Sequence, residues 1–193
     1  MKLVVNEIFY SLQGEGGRLG EASIFIRLTK CNLACDFCDT DFENGQEMSV
    51  EEIYDAIKQY PCRWVVWTGG EPTIQLNDDC LTFFKKSGYK QAIETNGTRA
   101  VSSLIDYISC SPKTSIAKVK EKIPFVHEIR IPVVDKDVIP DISQFPEAEN
   151  YFLSPVFDGE KSNMENINYC VEIIKENPRW RLSLQIHKLI NIQ

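Results

Sequence analysis

A chain of 193 residues with 43% apolar side chains is long enough to bury a sizeable core and fits one globular domain. Its 21 Lys and Arg against 28 Asp and Glu give a formal net charge of −7, which argues against broad binding to a phosphate backbone, since that needs clustered basic charge. No uninterrupted apolar run approaches the roughly 18 residues of a membrane helix.

The opening stretch, MKLVVNEIFYSLQGEG, has an apolar run too short and too broken by Asn6 and Glu7 for a secretory leader. A cytoplasmic protein with reduced thiols is therefore expected. Residues 22–29, ASIFIRLT, read as a first strand. After Ser49, apolar residues at Val50, Ile53, Tyr54 and Ile57 trace one helical face, with Ser49 and Glu52 as a capping box and Pro61 past the end. WVVWT (64–68) reads as a buried strand bounded by Gly69-Gly70. A helix near 78–87 stops at Gly88, and YKQAIET (89–95) reads as the next strand. DYISCSPK (106–113) holds a short strand, and HEIRIPVV (127–134) and YFLSPVF (151–157) hold two more. A third helix is expected from Ser162 with Glu165 as its box partner, carrying Ile167, Cys170, Val171 and Ile174 on one face as far as Asn177-Pro178. RLSLQIHKLI (181–190) reads as a last strand.

Strands alternating with helices imply parallel βα units, whose ligand sites lie in the loops after the strands. There is no repeat of fixed period and no linker, so residues 1–193 are expected to form a single domain. The glycines of GEGGRLG do not make a dinucleotide fingerprint, because the third required glycine falls on Leu19. A phosphate-loop Gly-Lys-Ser/Thr is also missing.

Seven cysteines fit no closed set of disulfides, and three of them crowd into KCNLACDFCDT with the spacing Cys31-x3-Cys35-x2-Cys38. Structural zinc usually takes four ligands, often as two Cys-x2-Cys hooks, and only one compact cluster is present. Cys62, Cys80, Cys110 and Cys170 are scattered singly. Cys80 and Cys170 sit on apolar helix faces, where packing is the expected role, as it is for Cys110. A 4Fe–4S cube is normally held by four thiolates, so three would leave one iron open to an outside ligand.

This triplet after a strand resembles the radical S-adenosylmethionine superfamily. The resemblance implies that S-adenosylmethionine chelates the open iron and is cleaved to a 5′-deoxyadenosyl radical. It also implies an α/β fold, an incomplete TIM-like barrel of parallel strands with reduced helices. TGGEP (68–72), ETNG (94–97) and SPK (111–113) each follow a predicted strand, in the order the superfamily uses for cofactor contacts. Alone, each is ordinary turn chemistry.

EIFYSLQGEG (7–16), Arg27, CDT (38–40), SPK and the terminal LSLQIHKL together resemble the 7-carboxy-7-deazaguanine synthase family, over about residues 6 to 190. That family contracts 6-carboxy-5,6,7,8-tetrahydropterin to 7-carboxy-7-deazaguanine with loss of ammonia, a carbon–nitrogen lyase step on the route to queuosine and other 7-deazapurines. By the resemblance, Cys31, Cys35 and Cys38 ligate the 4Fe–4S cluster and Thr40 helps bind Mg²⁺. Phe37, Cys38, Asp39, Gly70, Glu94, Ser111, Pro112, Lys113, Ser154, Pro155, Val156 and Phe157 line S-adenosylmethionine. Leu12, Gln13, Gly14, Arg27, Thr68 and, if it is the natural end, Gln193 meet the pterin. Arg27 sits among Phe25, Ile26 and Leu28, where a charge needs a partner unless its head reaches solvent. The resemblance also implies a homodimer and an electron donor such as flavodoxin or ferredoxin. Two alternatives stay open: a glycyl-radical enzyme activase, and a non-catalytic zinc-bound interaction module.

Overall fold

A computed structural model describes residues 1–34, 44–136, 138–157, 159 and 161–193. In chain order the elements are β1 (Lys2–Leu12), β2 (Ala22–Leu28), β3 (Gln46–Ser49), α1 (Val50–Ile57), β4 (Trp64–Gly69), α2 (Asp78–Lys86), β5 (Lys90–Thr95), β6 (Tyr107–Cys110), α3 (Ile116–Lys122), β7 (Phe125–Val133), β8 (Glu147–Pro155), α4 (Met164–Glu176), β9 (Trp180–Leu182) and α5 (Ile186–Leu189). Two compact units divide the chain. The first comprises Met1–Ser11, Ala22–Thr95 and Ala100–Ile108, and the second Leu12–Glu21, Asn96–Arg99 and Ser109–Gln193.

In the first unit the strand order is β3-β1-β2-β4-β5-β6. β2 runs parallel to β4, and β4 to β5. One face of this sheet packs on α1 and α2. Ile24, Ile26, Leu28, Val65, Trp67 and Ile93 point that way, against Ile53, Ile57, Leu81 and Phe84. Each such fully buried side chain contributes about 1.5–3 kcal/mol. The side chains between them point to the opposite, helix-free face, where Phe25, Val66 and Ala92 pack with Phe9. Both expected helices form. Ser49 and Glu52 make the capping box, with the Glu52 N–H donating to Ser49 Oγ at 3.1 Å and the Ser49 N–H to Glu52 Oε2 at 2.6 Å. Asn77 caps α2 by accepting the Cys80 N–H at 3.0 Å.

The second unit carries the order β6-β7-β8-β9, all parallel. Among the described residues, only β3 in the first unit and β9 in the second have a single neighbour, so the sheet is open. The connections from β5 to β6 and from β7 to β8 contain no α-helix among the described residues. An open, mainly parallel sheet with few helices is the expected incomplete barrel. Among the described residues no helix is long and apolar enough to cross a membrane.

Three expectations need correction. The strand at 22–28 is the second, because Lys2–Leu12 already forms β1, which pairs antiparallel with β3. β1 hides its character by changing side. Val5 faces the helices, yet Glu7 and Phe9 join the helix-free face through Arg27 and Phe25, while Ile8 returns to the helical side. Two residues of equal parity on opposite faces mark a bulge-like shift near Asn6. The third helix starts one residue later than expected, with Asn163 rather than Ser162 as its cap, accepting the Asn166 N–H at 3.1 Å. That register buries Asn166, whose amide donates to the carbonyls of Val134 (2.8 Å) and Val156 (3.4 Å). The 181–190 stretch is not one strand. β9 ends at Leu182; the Ser183 N–H still donates to the Leu153 carbonyl of β8 at 2.9 Å, but the Ser183 hydroxyl and the Ile186 N–H bond the Gly14–Gly16 backbone and the chain turns into α5.

Candidate functional site

In the first unit, the ends of β2, β4 and β5 bring three of the singled-out side chains into one row. Arg27 and Thr68 are register partners on β2 and β4. Glu94 follows Ile93, the partner of Trp67, and so stands beside Thr68. Alternation puts all three on the helix-free face, at the carboxyl ends where parallel sheets hold ligands. The charge of Arg27 has its partner: Nε donates to Glu7 Oε1 at 2.6 Å, and the guanidinium lies 5.8 Å from the Phe9 ring centroid. Phe9 in turn stacks on Phe25 at 4.8 Å. The guanidinium is thus seated within the site rather than carried out to solvent.

The chain leaves β2 through Lys30, whose left-handed φ of 68° turns it into Cys31. The loop after β4 clamps that turn. The Gly70 N–H donates to the Leu28 carbonyl at 3.0 Å and the Glu71 N–H to the Lys30 carbonyl at 2.9 Å, so the parallel pairing runs on past both strands. A Cβ on Gly70 would overlap the Lys30 carbonyl and come within 2.9 Å of the Cys31 amide nitrogen. Only glycine permits this approach, and it sets the TGGEP loop directly against the start of the cysteine segment. Cys31 is half-buried. Cys35, Phe37, Cys38, Asp39 and Thr40 lie outside the described residues.

Glu71 of the same loop is wholly buried. Its carboxylate accepts from the Thr73 amide (3.1 Å), the Thr73 hydroxyl (2.6 Å) and the Thr95 hydroxyl (3.0 Å). It ties the turn after β4 to the end of β5, so in TGGEP the glutamate is a brace. Cys80 and Cys110 are buried, as is Cys170. Burial pushes the Cys80 thiol up to about 12 and the Cys170 thiol to about 11, which keeps both neutral at cellular pH and unsuited to metal.

In the second unit, SPK follows β6 and is half-buried. The Lys113 N–H donates to the Asn96 carbonyl at 3.3 Å, joining it to the ETNG turn, where Asn96 Oδ1 accepts from the Thr98 amide at 3.0 Å. Ser154 and Pro155 end β8, with Val156 and Phe157 just beyond. Ser154 and Phe157 are buried, and Ser154 Oγ donates to Glu15 Oε1 at 2.9 Å. Leu12 is exposed at the end of β1. Gln13 closes a turn, its N–H donating to the Glu21 carbonyl and its own carbonyl accepting the Gly20 N–H, both at 2.8 Å. The Gly14 carbonyl accepts the Ile186 N–H at 3.0 Å, and Gln193 is exposed beyond α5.

Three charges not singled out from the sequence meet at this loop: Glu15 within it, and Glu128 and Arg130 on β7. Arg130 Nη1 is 3.6 Å from Glu15 Oε2 and from Glu128 Oε1. The available signal was an i, i+2 pair of opposite charges inside the apolar strand HEIRIPVV, which places both on one face of β7.

A model of the Radical SAM superfamily matches residues 25–135. Proteins named 7-carboxy-7-deazaguanine synthase from Haemophilus influenzae and Bacteroides thetaiotaomicron are 44% and 40% identical to this chain, over 97% and 98% of its length and 92% and 98% of theirs. Among solved structures, QueE from Escherichia coli superposes with a TM-score of 0.75 at 26% identity, over 97% of this chain and 95% of that one.

Proposed function

The chain belongs to the 7-carboxy-7-deazaguanine synthase family of the radical S-adenosylmethionine superfamily, and from that premise we propose how its residues perform the family's reaction. The reaction is the ring contraction of 6-carboxy-5,6,7,8-tetrahydropterin to 7-carboxy-7-deazaguanine with loss of ammonia, a lyase step towards queuosine and related 7-deazapurines. The observation that carries this reading is the full-length likeness to the synthases. It extends beyond the superfamily match at 25–135 to the SLQGEG loop and the chain end.

Membership implies a 4Fe–4S cluster and S-adenosylmethionine. When bound, they supply one-electron reduction and the abstraction of a substrate hydrogen. Cys31, Cys35 and Cys38 would hold the cluster. In support, Cys31 is the thiol set against the TGGEP glycines, whereas the buried, neutral Cys80 and Cys170 fit no metal. Phe37, Cys38, Asp39, Gly70, Glu94, Ser111–Lys113 and Ser154–Phe157 would line S-adenosylmethionine, Gly70 by backbone because no side chain fits there.

Arg27 and Thr68, neighbours on the helix-free face, would receive the substrate carboxylate. A guanidinium fork has five donors, so holding Glu7 through Nε is compatible with a carboxylate on the terminal nitrogens. Leu12, Gln13 and Gly14 would border the pterin, as would Gln193 if it is the natural end. Thr40 would contribute a hydroxyl to Mg²⁺, which favours oxygen ligands and keeps substrate oxygens in its shell. Residues 1–193 would act as one domain, in the cytoplasm, as a homodimer, with electrons from a flavodoxin or ferredoxin.

The test is anaerobic incubation of the reconstituted protein with the carboxytetrahydropterin, S-adenosylmethionine, Mg²⁺ and a low-potential reductant. The deazaguanine and ammonia should appear together. Cleavage of S-adenosylmethionine with the pterin returned unchanged would overturn the substrate assignment. Thr40→Val should blunt the magnesium response of turnover while leaving the iron content unchanged; a wild-type response would remove Thr40 as the ligand.

A further inference from the structure

We propose that Arg130 and Glu128 are positioning residues, buried strand charges that fix the backbone of the Gln13–Gly17 loop and through it the substrate. The inference rests on the reading that Leu12, Gln13 and Gly14 border the pterin.

Glu128 is 2% exposed, Arg130 10% and Glu15 17%, so two carboxylates surround one guanidinium largely away from water. Burying ions costs several kcal/mol each, and an apolar cluster of equal volume is often as stable. Stability alone therefore gives little reason for charges here, while geometry gives one. Glu128 Oε2 accepts the Gly17 N–H at 2.7 Å. Gly16 has a left-handed φ of 73°, and a Cβ there would overlap the Glu128 carboxylate. The loop is moulded onto that carboxylate. Among the described residues Arg130 Nη1 makes no hydrogen bond but lies 3.6 Å from both Glu128 and Glu15, a residue of the loop, so its charge balances the two carboxylates at once. Glu15 is further fixed by the Ser154 hydroxyl. From the chain end, the Ser183 hydroxyl accepts the Gly16 N–H at 2.9 Å. The segment preceding Glu15 is thus placed by contacts to β7 and β8, and its position depends on the charge balance at Arg130.

The experiment compares Arg130→Met, Arg130→Lys and Glu128→Gln in the reconstituted enzyme, with Gln13→Ala as the test of the loop itself. Glu128→Gln keeps an acceptor for Gly17 and removes only the charge. Arg130→Met and Glu128→Gln should raise KM for the carboxytetrahydropterin about ten- to hundredfold, through loss of binding shared by the ground and transition states. In the same variants kcat should stay within about threefold and KM for S-adenosylmethionine within about twofold. Arg130→Lys should recover part of the loss. Either variant with parental iron content and circular dichroism but an unchanged pterin KM overturns the proposal. So does an equal effect on both substrates, or failure of both variants to fold, which would make the cluster a folding element. If Gln13→Ala raises the pterin KM and the strand variants do not, the positioning role fails alone. If Gln13→Ala leaves it unchanged, the substrate reading of the loop fails.

Discussion

Arg27 shows how one side chain reconciles packing with chemistry. β2 is apolar on both sides of it, and the guanidinium remains there because Glu7 and the face of Phe9 receive it. A charge-assisted hydrogen bond from its terminal nitrogens to the proposed substrate carboxylate would be worth about 1.5–3 kcal/mol. Arg27→Met should therefore raise KM for the pterin by roughly ten- to hundredfold, with iron content and S-adenosylmethionine binding retained. An unchanged pterin KM in steady-state assays would take the substrate carboxylate away from Arg27. The cysteines divide on similar physical grounds. Ala at Cys31, Cys35 or Cys38 should abolish cluster absorbance, whereas Cys80→Ala should keep the cluster and lose only packing, on the order of 1–3 kcal/mol. Full iron content in Cys31→Ala would refute its role as a ligand, and chemical denaturation checks the second half.

At the level of elements, the site is made by the segments leaving β2 and β4. Their parallel register continues through Gly70 and Glu71 onto Leu28 and Lys30, so the TGGEP loop and the entry to the cysteine segment are tied together by backbone hydrogen bonds. Gly70→Ala places a methyl group against backbone, which cannot rotate away. It should cost about 1–3 kcal/mol in stability and weaken S-adenosylmethionine binding at least severalfold. Calorimetric titration with parental affinity would show that the loop tolerates the shift and is not the cofactor's backbone contact. The close approach at Gly70 was legible in the sequence because it admits one residue type, and the thiol triplet was legible as a spacing whose ligand role is the one proposed above. Glu71 was legible as part of a motif but not in its direction, since nothing local says that Thr73 and Thr95 receive it. Glu128 and Arg130 were missed for a similar reason. The loop they hold lies 111 positions away from Glu128, and long-range pairing leaves no periodic trace. β1 was missed because its polar residues, Asn6 and Glu7, interrupt the alternation that identifies strands, and Glu7 is polar on account of Arg27. The 181–190 stretch misled in the opposite sense, its alternating apolar residues imitating a strand where the chain, hydrogen-bonded to the Gly14–Gly16 backbone, turns into α5.

For the whole molecule, β3 and β9 have a single neighbour among the described strands, and several large apolar side chains are exposed. Leu189 and Ile190, adjacent at the end of α5, are 47% and 55% exposed. Exposed apolar side chains such as these are surface that a second copy could cover. The opposing term is charge. Each chain carries a formal −7, so two copies repel over a range set by the Debye length, about 8 Å at physiological salt. Apolar burial is short-ranged and survives screening, whereas the repulsion does not. A homodimer held in this way should be favoured by added salt rather than dissociated by it. Light scattering at micromolar concentration should give twice the 22.1 kDa of the chain, with the dimer fraction constant or rising from low to physiological ionic strength. A particle of 22.1 kDa throughout would remove the dimer, and dissociation by salt would replace the apolar interface with an ionic one.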